Sequence, residues 1–294
     1  MCDELTAADD DLALASAALS RRGFARAGGA TALWAATAAT AGATARAAGA
    51  ALVETDVTIP TADGKADAFF VHPAQGAHAA ILMWPDIGGL REAYRVQARR
   101  LARAGYAVLA VNHYYRSAHA PVLASFAEWR TPEGQAKLKP MIAAITPAGI
   151  TADAATFVRW LDAQPAVSRR RRIGSVGYCM GGPYTVRTAA AVPARVGAAA
   201  SMHGAGLVGD APDSPSKLLG KTRAAFLFAI GRNDDARAPG DKDALRAAAA
   251  AAHRPAEIEV YAADHGWTTL DAPVYDKAEA ERAWARMLAL FAKL

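Results

Sequence analysis

Cysteine is nearly absent from this 294-residue chain, which contains only Cys2 and Cys179. Two cysteines cannot form the dense disulfide framework that stabilises small secreted domains. The Cys and His residues do not stand at the spacing of a structural zinc site, and no segment repeats with a fixed period. We therefore expect no metal site, and an apolar core must stabilise the fold, for which a hydrophobic content of 53% is ample.

A basic face is also missing, although the net charge is +5. The densest positive run, Arg169–Arg172, is short, and the other basic residues are spread along the chain. Proteins that bind nucleic acid usually gather such charges on one face. We therefore interpret Arg169–Arg172 as a solvated loop and expect no nucleic-acid partner.

The chain has no long, strongly hydrophobic run, and this limits how its N-terminal region can be interpreted. The pair Arg21 and Arg22 precedes a mildly apolar stretch from Ala27 to about Ala43, after which small residues dominate. This order is typical of a bacterial twin-arginine export signal, so we expect residues 1–47 to be one, read by the export machinery. The protein would then be periplasmic or secreted. The alternative is an alanine-rich leader on a cytoplasmic protein, and a stable membrane anchor is not expected because the stretch is too short and too rich in Ala, Thr and Gly.

Strand-like and helix-like segments alternate after the N-terminal region. Ala79–Trp84 and Ala107–Val111 are continuous apolar runs of the kind found in buried parallel strands, and the spacing of apolar residues predicts a helix from Thr151 to Ala163. The alternation predicts one domain over residues 52–294, an α/β fold with a mostly parallel central sheet and helices on both faces. Residues 113–148 are interrupted by prolines and should form a functional loop or small cap.

The most distinctive motif is Gly177–Gly182, with the sequence Gly-Tyr-Cys-Met-Gly-Gly. It lies between an apolar strand and a segment that can continue as a helix, which is the setting of a nucleophile elbow. The flanking glycines would allow a sharp bend, and the following helix N-terminus would favour a thiolate at Cys179. The alternative is a buried, inert cysteine, since free cysteine is often buried.

Two further residues complete a catalytic order. Each follows a predicted strand, and parallel strands end at one edge of a sheet, so Cys179, Asp234 and His265 should converge there. Nucleophile, acid and histidine follow one another in this order in α/β-hydrolases. Asp235 is an alternative partner for the histidine, and either residue alone could be an ordinary loop residue.

The sequence resembles the dienelactone hydrolase family of the α/β-hydrolase superfamily from about Val57 to Leu294. Gly177–Gly182 is similar to the family's nucleophile motif, which carries Cys where most α/β-hydrolases carry Ser. Gly231–Asp234 resembles the turn that bears the acid, and Asp264–Gly266 resembles the histidine turn. The resemblance implies the α/β-hydrolase fold and a hydrolase with a Cys-His-Asp triad.

The resemblance also implies roles for residues near the nucleophile. Asp86 matches an acidic residue that contacts the cysteine, and the N–H groups of Ile87 and Met180 match the oxyanion hole. Tyr114 and Arg116 match a Tyr-x-Arg segment whose arginine meets a substrate carboxylate. A second arginine of the family is replaced here by a threonine, Thr269, so the diene-lactone acid itself is not the favoured substrate.

His203 and Trp267 also follow predicted strands. We expect them to bind substrate or to tune the nucleophile as pocket residues, and packing in the core is the alternative for each.

Three functions remain open on the sequence alone. The favoured one is hydrolysis of a small ester, lactone or thioester through an acyl-enzyme on Cys179. The second is acyl transfer on the same site, and the third is a non-enzymatic role as a redox-responsive thiol or binding protein. A triad supplies the nucleophile, the base and the oxyanion stabilisation, so no cofactor is expected.

Overall fold

The structure, a computed structural model, describes residues 51–294, so the export signal expected at residues 1–47 lies outside the described part of the chain. Eight strands form one sheet in the order β1-β2-β4-β3-β5-β6-β7-β8. The strands are β1 (Leu52–Thr61), β2 (Gly64–Pro73), β3 (Ala80–Trp84), β4 (Ala107–Val111), β5 (Ile173–Tyr178), β6 (Val196–Met202), β7 (Ala225–Gly231) and β8 (Ala256–Tyr261).

The sheet is mostly parallel, as the sequence predicted. β1 pairs antiparallel with β2, and β2 pairs antiparallel with β4. From β4 to β8 every neighbouring pair is parallel. β1 was not predicted, because it is an edge strand with mostly exposed side chains and carries little apolar signal.

Helices connect the strands. They are α1 (Glu92–Arg103), α2 (Phe126–Trp129), α3 (Pro132–Ala143), α4 (Pro147–Asp162), α5 (Gly182–Ala191), α6 (Pro215–Leu218), α7 (Arg232–Arg237), α8 (Asp241–Ala251) and α9 (Lys277–Phe291).

Each face of the sheet carries its own apolar core. In β3, Leu82 belongs to the cluster that includes residues of α4, α5 and α8, whereas its neighbour Ile81 belongs to the cluster that includes residues of α1 and α9. Successive side chains of a strand point to opposite faces, so a strand buried on both sides needs apolar residues throughout. This confirms the prediction of a sheet covered by helices on both faces.

Residues 113–148 contain more regular structure than their proline content suggested. α2 and α3 lie within them, and this segment contributes the buried residues of a small apolar cluster, which we call the cap cluster. Its buried members are Tyr114, Val122, Leu123 and Leu138.

α4 begins at Pro147, four residues before the predicted start at Thr151. The Thr146 side chain accepts a hydrogen bond from the Gly149 N–H at 3.0 Å, and proline is well tolerated in a first helical turn. Pro147 therefore starts the helix and does not interrupt the segment.

None of the helices in the described part combines the length and hydropathy that a membrane span needs. α3 and α4 reach those values only when they are taken together, and they meet at 81°.

Candidate active site

Cys179 lies at the apex of the turn between β5 and α5. Residues Cys179–Gly181 form a single 3-10 turn that leads directly into the helix. The φ angle of Cys179 is 50°, in the left-handed region that non-glycine residues rarely adopt. A strand, a strained residue and a helix in this order form a nucleophile elbow.

The glycines around Cys179 are needed for close packing. We expected them to supply the sharp bend, but the positive φ belongs to Cys179 itself. A Cβ on Gly177 would lie 2.0 Å from the Gly181 carbonyl oxygen, and a Cβ on Gly181 would lie 2.4 Å from that of Trp84. A Cβ on Gly182 would lie 2.5 Å from a Cα of the loop after β6. These glycines therefore allow β3, the elbow and the β6 loop to touch through their backbones.

The three residues of the expected triad are in contact. His265 Nε2 lies 3.0 Å from Cys179 Sγ, and His265 Nδ1 lies 2.8 Å from Asp234 Oδ2. Because a carboxylate can only accept, Nδ1 carries the proton, and Nε2 can take the proton of the thiol. Asp235 is instead bound to Lys242 at 2.7 Å, so the contact to the histidine belongs to Asp234.

The loops after β7 and β8 fix this histidine and aspartate together. The His265 N–H donates to Asn233 Oδ1 at 2.8 Å. A Cβ on Gly231 would lie 3.0 Å from Asp234 Oδ2 and 3.1 Å from the His265 nitrogen. The Gly-x-x-Asp sequence therefore brings the acid turn against the histidine turn, with Asn233 as a further link.

The surroundings of His265 favour its cationic form. Burial alone would lower the pKa of His265, but the negative charge on Cys179 and the hydrogen bonds with Asp234 and Cys179 raise that pKa well above 6.5. The imidazole is thus stabilised as the cation that forms once it has taken a proton from the thiol.

Asp86 does not make the contact with the nucleophile that the resemblance implied. Its buried carboxylate accepts hydrogen bonds from Arg91 at 2.6 and 3.0 Å and from the Gly88 N–H at 2.9 Å. Among the described residues, no hydrogen bond joins it to Cys179. A buried carboxylate needs a compensating cation, and Arg91 supplies it.

Arg91 connects three segments around the site. Besides Asp86, its guanidinium binds both carboxylate oxygens of Asp271, each at 2.8 Å. Asp271 in turn accepts the N–H of Phe126, the first residue of α2, at 3.0 Å. Burial opposes the charge of Arg91, but the two carboxylates raise its pKa above the ordinary value. This ion-pair network joins the β3 turn, the loop after β8 and the start of α2.

Ile87 and Met180, the expected oxyanion donors, both lie beside the cap cluster. Each is half-buried and packs against that cluster. The hydroxyl of Tyr114 donates to the Ile87 carbonyl oxygen at 2.8 Å, and the Gly89 N–H donates to the Asp86 carbonyl oxygen at 3.0 Å. Tyr114 therefore holds the Ile87 carbonyl in the turn that follows β3.

Arg116 is engaged away from the triad, contrary to the role that the resemblance implied. Its guanidinium binds the buried carboxylate of Asp153 on α4 at 2.7 Å and the exposed carboxylate of Asp63 in the β1–β2 turn at 2.6 Å. Two carboxylates thus already satisfy this cation. Thr269, at the second arginine position, is buried, and its hydroxyl lies 3.3 Å from that of Tyr94.

His203 and Trp267 are both buried in the described fold. Trp267 is fully buried, stacks on Tyr261 with ring centroids 5.2 Å apart and belongs to a core cluster, so the core-packing alternative holds for it. His203 contacts the elbow directly, because its Nδ1 accepts the Cys179 N–H at 3.1 Å. Its ring centroid lies 5.0 Å from that of His265.

His113 is a further buried residue near the site that sequence reasoning did not single out. Its ring centroid lies 4.3 Å from that of Tyr114, and neither ring nitrogen has a hydrogen-bond partner among the described residues. Burial, aided by the charge of Arg91, lowers the pKa of His113 to about 3. Over residues 51–294, no three His, Cys, Asp or Glu side chains are grouped closely enough to hold a metal ion.

The fold and the elbow can be compared with known proteins. The model of the dienelactone hydrolase family matches residues 66–294. The chain belongs to the dienelactone hydrolase family. This confirms the resemblance found in the sequence, and the protein is a hydrolase of the dienelactone hydrolase type.

Curated members of this family are similar along most of their length. A candidate carboxymethylenebutenolidase of Salmonella typhimurium is 29% identical over 243 residues, which are 80% of this chain and 86% of the relative. One from Escherichia coli is 29% identical over 248 residues, with 82% and 87% of the two chains covered.

Solved structures of the dienelactone hydrolase family share the fold. A candidate dienelactone hydrolase from Klebsiella pneumoniae has a TM-score of 0.71 at 26% identity, covering 83% of this chain and 100% of the other. A dienelactone hydrolase-like promiscuous phosphotriesterase from metagenomic libraries has a TM-score of 0.67 at 21% identity, covering 83% and 99%. At that identity the second likeness shows the fold alone.

Proposed function

We propose that this hydrolase cleaves ester or lactone bonds of small molecules, with the thiol of Cys179 as nucleophile. The observation that carries the proposal is the unbroken contact from Cys179 Sγ to His265 Nε2 at 3.0 Å and from His265 Nδ1 to Asp234 at 2.8 Å. The strained φ of 50° at Cys179 supports it, because such strain clusters at active sites. The relatives named as candidate carboxymethylenebutenolidases support a lactone or ester as substrate.

In the acylation step, His265 Nε2 takes the proton of the thiol while the sulfur attacks the carbonyl carbon of the substrate. The carbonyl oxygen becomes an oxyanion, and in this proposal the N–H groups of Ile87 and Met180 stabilise it. When the tetrahedral intermediate collapses, the bond to the alkoxide breaks and His265 gives its proton to the leaving oxygen. A thioester on Cys179 remains.

In the deacylation step, His265 acts as base toward water. The water oxygen attacks the thioester carbonyl, the C–S bond breaks, and the proton returns through His265 to the sulfur. Asp234 keeps the Nδ1–H tautomer and stabilises the imidazolium in both steps.

The proposed substrate does not need a carboxylate. The arginine expected to bind one, Arg116, is bound to Asp153 and Asp63. Asp86 and Asp271 similarly surround Arg91. A neutral ester, lactone or thioester therefore fits this site better than a substrate whose recognition requires an ion pair with either arginine.

The test is turnover of p-nitrophenyl acetate by the purified protein and two variants, Cys179→Ala and His265→Ala. Both variants should lose the turnover that the wild-type protein shows. Turnover that survives both changes would exclude the triad. Adding an alcohol or amine to the assay separates hydrolysis from acyl transfer, since only transfer yields a new ester or amide. Reversible oxidation of Cys179 without any turnover would indicate a thiol sensor instead.

We also propose that residues 1–47 direct export through the twin-arginine pathway. The support is the order of paired arginines, a mildly apolar stretch and small residues. Fractionation of the native host should find a shortened protein in the periplasm. Full-length protein confined to the cytosol would overturn this proposal.

A further inference from the structure

His203 occupies an unusual place at the end of β6. Its φ is 41°, in the left-handed region, and it is one of three non-glycine residues with positive φ in the described chain. The other two are Cys179 and His253, and His253 is an exposed residue at the end of α8. A hydrogen bond joins His203 to Cys179, so these two residues with a strained backbone are direct neighbours.

Both ring nitrogens of His203 have partners. Nδ1 accepts the backbone N–H of Cys179 at 3.1 Å, so the proton of the neutral ring is on Nε2. Nε2 lies 2.9 Å from the hydroxyl oxygen of Thr268 and donates to it. The carbonyl of Thr268 is held in turn by Gln97 at 2.7 Å. His203 thus links the elbow to the loop that carries His265.

Two backbone hydrogen bonds fix the loop after β6, one to the nucleophile and one to the sheet. The Ala205 N–H donates to the Cys179 carbonyl oxygen at 3.4 Å. The His203 N–H donates to the Ala229 carbonyl oxygen on β7 at 2.8 Å, which fixes the start of this loop to the sheet. Both backbone groups of the nucleophile are therefore held from the loop after β6.

The ring of His203 must remain neutral to make these contacts. A proton on Nδ1 would face the Cys179 N–H and break the bond. Burial is the main cause that holds the pKa of His203 well below 6.5, and the charge of His265 contributes as well. Because both nitrogens are occupied, His203 does not serve as a second general base.

We propose that His203 is a positioning residue for the nucleophile, setting the placement of the Cys179 thiol relative to His265 by holding the elbow at Nδ1 and the His265 loop at Nε2. The inference rests on the proposed function, because it assigns His203 a task in the reaction of Cys179. Attack by a thiol depends steeply on geometry, and a shift of about 1 Å can reduce a rate by about 10²-fold.

The experiment compares His203→Ala with His203→Asn. The side-chain oxygen of Asn can replace Nδ1 as the acceptor for the Cys179 N–H, and Asn tolerates a positive φ. His203→Ala should lower kcat/KM for p-nitrophenyl acetate by about 10²-fold. His203→Asn should recover most of that loss, and the rate of Cys179 alkylation by iodoacetamide should follow the same order. His253→Ala, at the exposed residue with a φ of 53°, controls for the strain of the new residue and should leave both rates unchanged.

Thr268→Val tests the second contact and remains informative if His203→Ala does not fold. It removes the acceptor for Nε2 and should reduce kcat/KM by about fivefold, which corresponds to one hydrogen bond of about 1 kcal/mol. Wild-type rates in His203→Ala, or in Thr268→Val where His203→Ala does not fold, would overturn the inference. Equal losses in folded His203→Ala and His203→Asn would also overturn it. Turnover that persists in Cys179→Ala would instead show that the proposed function has failed.

Discussion

Two adjacent carboxylates after β7 have different partners, and this difference gives a matched pair of variants. Asp234 binds His265 Nδ1 at 2.8 Å, whereas Asp235 binds Lys242 at 2.7 Å. Asp234→Asn should lower kcat for p-nitrophenyl acetate by about 10³–10⁴-fold, because the amide can hold the imidazole in the wrong tautomer. Asp235→Asn should leave kcat within about twofold, since an ion pair with Lys242 contributes at most about 1 kcal/mol. Similar losses in both variants would contradict the assignment of Asp234.

Asp234→Asn should also change the pKa of His265. Burial lowers the pKa of His265, but the negative charge on Cys179 and the contact with Asp234 raise that pKa above 6.5. Asp234→Asn removes one of these causes, and the pKa of His265 should fall. An NMR titration of the imidazole measures the shift. A pKa that is unchanged or raised in Asp234→Asn would show that this contact does not act as described.

At the residue scale, the sequence was enough to predict the nucleophile, the acid and the histidine. It did not show which side chains pair with the charged residues around them. Cys179, Asp234 and His265 could be found because motif, order and position after a strand agree. Asp86 could be found as a polar residue at a strand end, but its partner Arg91 lies in a segment that reads as an ordinary amphipathic helix. Arg116 was assigned to the substrate because the single sequence does not show that Asp63 and Asp153 lie beside it.

Among the elements around the site, the segment before α1 depends on the buried cation Arg91. Its side chain is paired with Asp86 and Asp271 and has 1% exposure. Arg91→Met should lower the free energy of unfolding by about 3–5 kcal/mol, because it leaves the buried carboxylate of Asp86 without a cation. Arg95→Met is the control, since Arg95 on α1 pairs with the exposed Asp56 and its replacement should cost at most about 1 kcal/mol.

Urea denaturation of the two variants measures both effects. Equal stability losses for Arg91→Met and Arg95→Met would contradict the role of the buried pair. Arg91→Met should also reduce turnover beyond its effect on folding, because the β3 turn that carries Ile87 loses a contact through Asp86.

Close contact between backbones at the elbow predicts that an added side chain there destabilises the fold. A Cβ on Gly181 would meet the carbonyl oxygens of Trp84 and Pro85 at 2.4 and 2.5 Å, and neither can move without shifting the end of β3. Gly181→Ala should therefore destabilise the fold by several kcal/mol, within the range of strained core substitutions. Gly220→Ala is the control, because nothing lies within 4 Å of its added Cβ. Thermal unfolding that is equal in both variants would contradict this account of the glycines.

The strands of the sheet were easier to predict than the cap. Ala107–Val111 was predicted with its observed bounds, and Ala79–Trp84 differs from β3 by one residue, because both are unbroken apolar runs. The cap helices α2 and α3 have little such signal, since much of their surface is exposed. α3 depends on the side-chain cap of Thr131. Both helices pack into the cap cluster, to which Ile87 after β3 and Met180 of the elbow also contribute although they are distant in the sequence.

Across the whole molecule, burial keeps two histidines neutral. The pKa of His113 is lowered to about 3 and that of His203 lies well below 6.5, with burial as the main cause in each case. Unfolding exposes both rings, so the unfolded chain binds more protons than the native protein at pH values below about 6.5. The free energy of unfolding should therefore fall as the pH drops below about 6.5, by up to about 1.4 kcal/mol per pH unit for each ring that stays neutral in the native protein.

His113→Phe isolates one of these contributions. The variant should reduce the pH slope of the unfolding free energy by up to about 1.4 kcal/mol per pH unit, which corresponds to one bound proton. This holds whatever its effect on stability at neutral pH. His119→Phe is the control for replacing a histidine by phenylalanine, because that side chain is largely exposed. Denaturant unfolding at several pH values measures the slopes. A slope that His113→Phe does not change would show that His113 is not held neutral in the native protein.

The global architecture followed from the alternation of apolar runs, because a parallel sheet buried on both faces requires that pattern. The convergence of polar loops also followed, since the ends of parallel strands share an edge. Two features could not be inferred at this scale. The edge strand Leu52–Thr61 has the composition of a surface segment, and the burial of His113 depends on Tyr114, Tyr184 and Arg91 coming together in space.

The central claim is that Cys179 carries the acyl group during hydrolysis, and mass spectrometry of the enzyme in turnover tests it most directly. The protein is mixed with p-nitrophenyl acetate and quenched in acid while product is forming. One acetyl group per chain, located on Cys179 by peptide mapping, is the expected result, and His265→Ala should acquire it far more slowly. Steady turnover with no acetyl group on Cys179, together with activity retained by Cys179→Ala, would contradict the account.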